Sequence, residues 1–273
     1  MSPTATLVVV DGYDASTYGE RFAEVYDDWY GDVSDIEACT RRLAALSAAH
    51  GGGPVLELGI GSGRLALPLA RLGVEVHGID ASASMVERLR AKPGGESVTV
   101  TIGDMADLAL ADPPPFSVVF VAFNTLFNLA TDADQRRCLR RVTEVLAPGG
   151  VLVVEAFVPR DDVAAGAEAS VAPRRITADE VVLTVSRVDR AAQTITGQHV
   201  HLRESGIRLR PWHLRYLTPA QLDALAADAG LELEVRSAGW RGEPFTDASE
   251  VHVSTYHRAN VRPVREHPPA DPR

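Results

Sequence analysis

The stretch Val55-Leu56-Glu57-Leu58-Gly59-Ile60-Gly61-Ser62-Gly63-Arg64-Leu65 decides the fold. An apolar run of strand length leads into three alternating glycines, and a helical pattern over 65–72 follows them. The glycines therefore form a tight strand-to-helix turn, where backbone takes positive φ and comes close to a ligand. Outward from this turn, apolar runs at 74–79, 98–102, 117–122 and 151–156 alternate with helical patterns at 83–91 and 132–146. The last of these is closed by Ala147-Pro148-Gly149-Gly150. This rhythm predicts parallel βαβ units in a doubly wound α/β sheet, with ligands outside the carboxyl ends of the strands.

Both flanks break the rhythm. Upstream, Tyr18, Phe22, Tyr26, Trp29 and Tyr30 recur at near-helical spacing, and a second helical pattern over 35–50 stops at Gly51-Gly52-Gly53-Pro54. Residues 1–50 are read as a helical lid and 51–158 as the core. Downstream, 180–188, 194–202 and 208–216 alternate without helices, with turn residues at Asp189 and Ser205-Gly206. Residues 159–217 are thus expected to form an inserted antiparallel meander. A helix over 219–229 and strands at 231–237 and 252–256, within a segment 218–262, complete a mostly parallel seven-stranded sheet. The proline-bearing tail 263–273 is expected to fray.

The composition excludes several classes. The 273 residues are 45% hydrophobic and carry 27 Lys+Arg against 37 Asp+Glu, a net charge of −10 that would repel a phosphate backbone. Lys92 is the one lysine, so no polybasic surface is available and no nucleic-acid partner is expected. No apolar run is long enough for a membrane span and the start lacks signal-peptide features, so a cytoplasmic protein without a membrane partner is expected. Cys39 and Cys138 form no metal-type or redox-type pair, and no metal is expected.

The candidate site is read from strand ends. Glu57 precedes the glycine turn, and a carboxylate there repels phosphate but attracts an amino-acid ammonium. Arg64 occupies the position where a dinucleotide fingerprint wants its third small residue, which speaks against an NAD-dependent oxidoreductase. Asp80 closes the second strand, where an acid accepts both ribose hydroxyls. Gly103-Asp104-Met105 closes the third, where a carboxylate and a thioether can hold an adenine by its amino group and its face.

Together, Glu57 to Gly63, Asp80, Gly103-Asp104-Met105 and Leu146 to Gly150 resemble the Rossmann-like (class I) S-adenosylmethionine-dependent methyltransferases in order and spacing. With its insert, its Tyr26-Asp27-Asp28-Trp29-Tyr30 entry and its Val154-Glu155-Ala156-Phe157 exit, the chain resembles the small-molecule branch that includes bacterial amino-sugar N,N-dimethyltransferases. The resemblance implies that S-adenosylmethionine is the cofactor, with Gly59, Gly61 and Gly63 along its methionine part. Asp80 would hold its ribose, Asp104 and Met105 its adenine, and Glu57 its ammonium. Tyr26, Ala81, Met85, Gly103 and Phe123 are expected around it as well. It also suggests a homodimer.

The fourth strand ends in Phe123-Asn124-Thr125-Leu126-Phe127-Asn128, facing the transferring methyl. Amino-sugar relatives often carry histidine or tyrosine at the place of Asn128, and an amide cannot act as a base at neutral pH, which counts against an amino-sugar acceptor. Asn124 and Asn128 are expected to orient the acceptor, with His201, His199 or Glu155 as the base if one is needed. Tyr18, Tyr30, Phe127, Phe157, His199, Arg215, His252 and Tyr256 are the candidate substrate-binding residues. The expected activity is methyl transfer to nitrogen or oxygen of a small specialised metabolite. The alternatives are a non-methylating use of the same cofactor, such as cyclisation, and the disfavoured oxidoreductase.

Overall fold

The structure is a computed structural model that describes residues 12–31, 33–159 and 169–259. A seven-stranded sheet forms its centre. Strands β1 (Val55–Leu58), β2 (Val76–Asp80), β3 (Thr99–Ile102), β4 (Phe116–Val121) and β5 (Leu146–Phe157) pair in parallel in the order 3-2-1-4-5. Beyond β5 lie the antiparallel β11 (Val251–Arg258) and then β10 (Leu231–Ser237). Strand order reverses at β1, so the crevice between the ends of β1 and β4 is the expected ligand site. Every residue of β1 and β4 is buried, as strands covered on both faces by helices must be.

The helices owe their places to caps and apolar stripes. In α3 (Ile36–Ala49) Asp35 accepts the Ala38 amide, and Cys39 and Leu43 face the sheet. Thr131 caps α6 (Asp132–Val145), which buries Cys138, Leu139 and Val142. Thr218 and Gln221 form a reciprocal capping box on α7 (Pro219–Asp228), with Pro219 in the first turn, where its missing N–H costs nothing. Short helices α4 (Ala66–Arg71) and α5 (Ala83–Arg90) follow β1 and β2. Two apolar clusters fill the sheet faces, one around Leu56, Val119 and Leu152, the other around Val55, Phe120 and Val153.

The flanks depart from expectation in detail. The aromatic stretch is two short helices, α1 (Thr17–Phe22) and α2 (Tyr26–Tyr30), with a turn between them. The meander has four strands rather than three: β6 (Ala169–Ile176), β7 (Glu180–Asp189), β8 (Thr194–Arg203) and β9 (Gly206–Arg215) form a separate antiparallel sheet in that order. Residues 147–150, expected to end α6, lie within β5, where Gly149 takes a φ of 78°. The expected frayed tail, 263–273, falls outside the described residues.

Candidate active site

The turn after β1 is shaped by steric demand. Gly59 has a φ of 69°, and a Cβ there would lie 2.4 Å from Thr125 Cγ2, so only glycine fits. The next glycine is anchored by a carboxylate: Asp80 Oδ2 accepts the Gly61 amide at 2.7 Å while its Oδ1 accepts the Ser82 amide at 2.8 Å. Burial pushes the Asp80 pKa up, against the pull of those two amides. Each carboxylate oxygen keeps a further lone pair for a ligand hydroxyl.

A cavity opens at these strand ends. Tyr26, Gly59, Gly61, Asp80, Ala81 and Met85 line it, as do Gly103, Asp104 and Met105. Among the described residues its carboxylates are Asp14, Asp80 and Asp104 and its lining includes no cation, which suits a cationic sulfonium and repels a pyrophosphate. Three of the expected cofactor residues do not line it. Gly63 instead packs under Leu89 and Leu67. Phe123 belongs to a neighbouring cavity. Glu57 lies behind, 5% exposed, taking the Ala66 amide while its Oε2 has no hydrogen-bond partner. Burial raises its pKa to about 8, with Arg64 opposing and Asp80 reinforcing the rise. An orphaned buried oxygen of this kind fits an arriving ammonium group.

The neighbouring cavity is lined by Tyr18, Tyr26 and Tyr30 from the lid, Phe123, Asn124, Thr125 and Asn128 from the end of β4, and His199, Trp212 and Leu214 from the meander. It shares Tyr18, Tyr26, Thr125 and Asn128 with the first, so the two spaces meet there. Phe123 and Asn124 both have positive φ, 51° and 63°, a conformation costing roughly 1–3 kcal/mol per residue and held by the surroundings. Glu155 Oε2 accepts the Phe123 amide at 2.7 Å, and Asn124 Oδ1 accepts the Phe157 amide at 2.7 Å. Rings close the cavity: Tyr26 and Tyr30 lie 5.0 Å apart, Tyr30 and Phe123 5.9 Å, and His199 and Trp212 6.1 Å.

His199 Nδ1 pairs with Thr184 Oγ1 at 3.0 Å. Burial first, then Arg174 and Arg210, lower its pKa to about 4, so the imidazole is neutral at pH 7. Burial likewise lifts the Tyr26 hydroxyl to about 12 against the pull of Arg64.

Other expected residues serve the scaffold. Glu155 gives its second oxygen to Trp240 Nε1 at 2.8 Å, so neither oxygen faces a cavity as a base. His201 is 3% exposed, its Nε2 2.7 Å from Glu180 and its Nδ1 facing Arg210 at 3.3 Å. Arg215 donates to Gln135 and Asp132, tying the meander to α6. Phe127 is fully buried against Phe157, with ring centres 5.3 Å apart. Tyr256 donates to Asp223 at 2.8 Å and accepts from Arg236 beside α7, and His252 pairs with Ser254. In β11 both are fully buried, away from the two cavities.

Tyr13 and Asp14 are cavity residues that the sequence did not single out. Among the described residues no group of three His, Cys, Asp or Glu could hold a metal, and no helix is long and apolar enough to cross a membrane. A separate groove of about 970 Å³ lies between α1, α5 and β9 and holds Arg208 and Arg210, both paired with Glu24.

Residues 55–150 match the family described as methyltransferase domain. Over 241 residues, 86% of this chain and 95% of the relative, the chain is 30% identical to the cypemycin N-terminal methyltransferase of a Streptomyces species. The chain belongs to the Rossmann-like S-adenosylmethionine-dependent methyltransferases. Within this methyltransferase family, the solved structure of the CcbJ methyltransferase from Streptomyces caelestis is 42% identical with a TM-score of 0.81, covering 90% of this chain and all of that one. CalS10, an amino pentose methyltransferase from Micromonospora echinaspora involved in calicheamicin biosynthesis, is 26% identical with a TM-score of 0.62, covering 85% and 96%.

Proposed function

We propose that this methyltransferase moves a methyl group from S-adenosylmethionine to a nitrogen of a small natural-product acceptor, with oxygen as the second choice of atom. The observation that carries the reading is the junction of two cavities at Tyr18, Tyr26, Thr125 and Asn128: an acidic one over the glycine turn and an aromatic one beneath the meander. Nitrogen is preferred because two relatives are named as an N-terminal and an amino pentose methyltransferase.

When bound, S-adenosylmethionine supplies a methyl group already activated on a sulfonium. Asp80 and Asp104 would hold its ribose and adenine, and Glu57 its ammonium. Asn124 keeps the end of β4 in its strained turn, and Asn128 offers an amide to the acceptor. The aromatic walls exclude water. His199, neutral and fixed by Thr184, gives a hydrogen bond that orients the acceptor. A group with a pKa of about 4 is too weak a base to hold an amine's proton at pH 7. With Arg174 and Arg210 behind it, the cavity disfavours an ammonium and admits the uncharged amine, whose lone pair is the nucleophile. Alignment for in-line displacement, worth up to roughly 7–11 kcal/mol, then carries the catalysis.

The test is transfer of labelled methyl from S-adenosylmethionine to a panel of small amines and their hydroxyl counterparts. Labelled amine with release of S-adenosylhomocysteine is expected. Cofactor binding without transfer to any amine or hydroxyl would overturn the acceptor assignment.

A further inference from the structure

Of the 27 Lys and Arg residues all but one are arginine, and the exception, Lys92, lies where the lid meets the glycine turn. Its Nζ donates to Asp27 Oδ1 of α2 at 2.8 Å and to the Ser62 carbonyl at 2.8 Å. Ser62 Oγ donates to the same Asp27 oxygen at 2.6 Å. The three residues thus close a ring of hydrogen bonds. Arg88 Nε, 4.0 Å from the other Asp27 oxygen, stays outside it. Burial opposes ionisation of Asp27, but Lys92 and Ser62 outweigh it and hold its pKa below the ordinary value. The carboxylate is therefore charged at pH 7. A lysine suits this ring because a compact ammonium sends its three donors in different directions, whereas the planar fork of arginine favours the two oxygens of one carboxylate.

Neither Asp27 nor Lys92 lines either of the two cavities at the strand ends, so both act through neighbours. Ser62 is 1% exposed and lies between Gly61, whose amide is fixed by Asp80, and Gly63, which packs under Leu89. Asp27 follows Tyr26, which lines both cavities. The ring therefore spans from the glycine turn to the residue at which the two spaces meet. We propose that Lys92 is a positioning residue: through Asp27 and Ser62 it holds Tyr26 and the glycine turn in register, so that cofactor binding and lid placement are one event. This rests on the reading that the acidic cavity takes the adenosyl cofactor. Linkage then imposes a reciprocity: by whatever factor the ring tightens the cofactor, the cofactor tightens the ring. The side chains of Lys92 and Asp27 are 31% and 33% exposed, so solvent weakens their charge-assisted bonds and a factor of about ten is expected.

Calorimetry with S-adenosylhomocysteine on the full chain measures one side of that linkage. Lys92→Met and Asp27→Asn should each raise the dissociation constant about tenfold. The double variant should also lose about tenfold rather than 100-fold, because either change opens the same ring. Acetylation measures the other side. Acetic anhydride modifies Lys92 as the one lysine side chain, read by mass spectrometry of its peptide, and saturating S-adenosylhomocysteine should slow that reaction about tenfold. A ring that serves the fold alone would lower Tm in the variants and leave both binding and acetylation unmoved. That result, or single effects that add to about 100-fold in the double variant, would overturn the proposal. Failure of the parent chain to bind S-adenosylhomocysteine would instead remove the cofactor reading, and this proposal with it.

Discussion

The two cavities that meet at the strand ends, proposed as the two halves of the active site, are built by different means. The cavity over the glycine turn is made of positive-φ glycines, amides fixed by Asp80, and carboxylates at consecutive strand ends. The neighbouring cavity is walled by rings from three separate segments, with the lid touching the meander through Trp29 and His199, 5.6 Å between centres. In the first, Gly59 tolerates no added atom, and the second is a matter of shape and area. Substitutions should therefore separate the halves, with abrupt losses in one and graded ones in the other.

The largest effect is expected at Gly59. Gly59→Val adds a branched side chain at a φ of 69°, into Thr125. Binding of S-adenosylhomocysteine should weaken by about 100-fold or more, equivalent to roughly 3 kcal/mol. Calorimetry measures this, with circular dichroism confirming the fold. Asp80→Ala should follow, because it frees two backbone amides as well as the ligand hydroxyls. A loss of about 1–3 kcal/mol in the same titration is expected. Trp212→Ala acts on the other half: the acceptor KM should rise about tenfold while cofactor affinity holds. If Trp212→Ala weakened the cofactor as much as the acceptor, the division between the halves would be wrong.

Glu57 adds a pH dependence to the same titration. Its carboxyl is raised by burial to about 8 in the ligand-free protein and would be held ionised by an ammonium ligand. Cofactor affinity should therefore climb between pH 6 and 8, by at most about tenfold per unit, and flatten above. Glu57→Gln removes that slope. The sign for stability is the reverse. A raised carboxyl loses stability as pH rises from its unfolded value of about 4.5 towards 8. The glutamine variant should thus gain in Tm relative to the parent chain at pH 8 but not at pH 4.

The same contrast explains what could be read in advance. β10 matches its expected span residue for residue, and the turn after β1 is a local pattern whose spacing carries its geometry. β6 escaped notice because all eight of its residues are exposed, so no buried alternation marks it, and Pro173 interrupts the strand pattern. Glu155 stands at a strand end and reads as a candidate base, but Trp240, 85 positions away, takes one of its oxygens. Tyr256 reads as a pocket residue until the register of β11 places it opposite Leu152, against α7. Thr125 reads only as a polar residue in the stretch after β4; its importance comes from lying 2.4 Å from where a Cβ on Gly59 would stand. Local backbone geometry is encoded locally, whereas the direction of a side chain depends on partners distant in sequence.

The central claim is that the acidic cavity over the glycine turn receives the adenosyl cofactor of the family. Calorimetric titration with S-adenosylhomocysteine, with NAD as the comparison, tests it most directly. The account predicts micromolar binding of the thioether, abolished by Gly59→Val, and no heat with NAD. Heat with NAD, or none with S-adenosylhomocysteine in a folded protein, would contradict it.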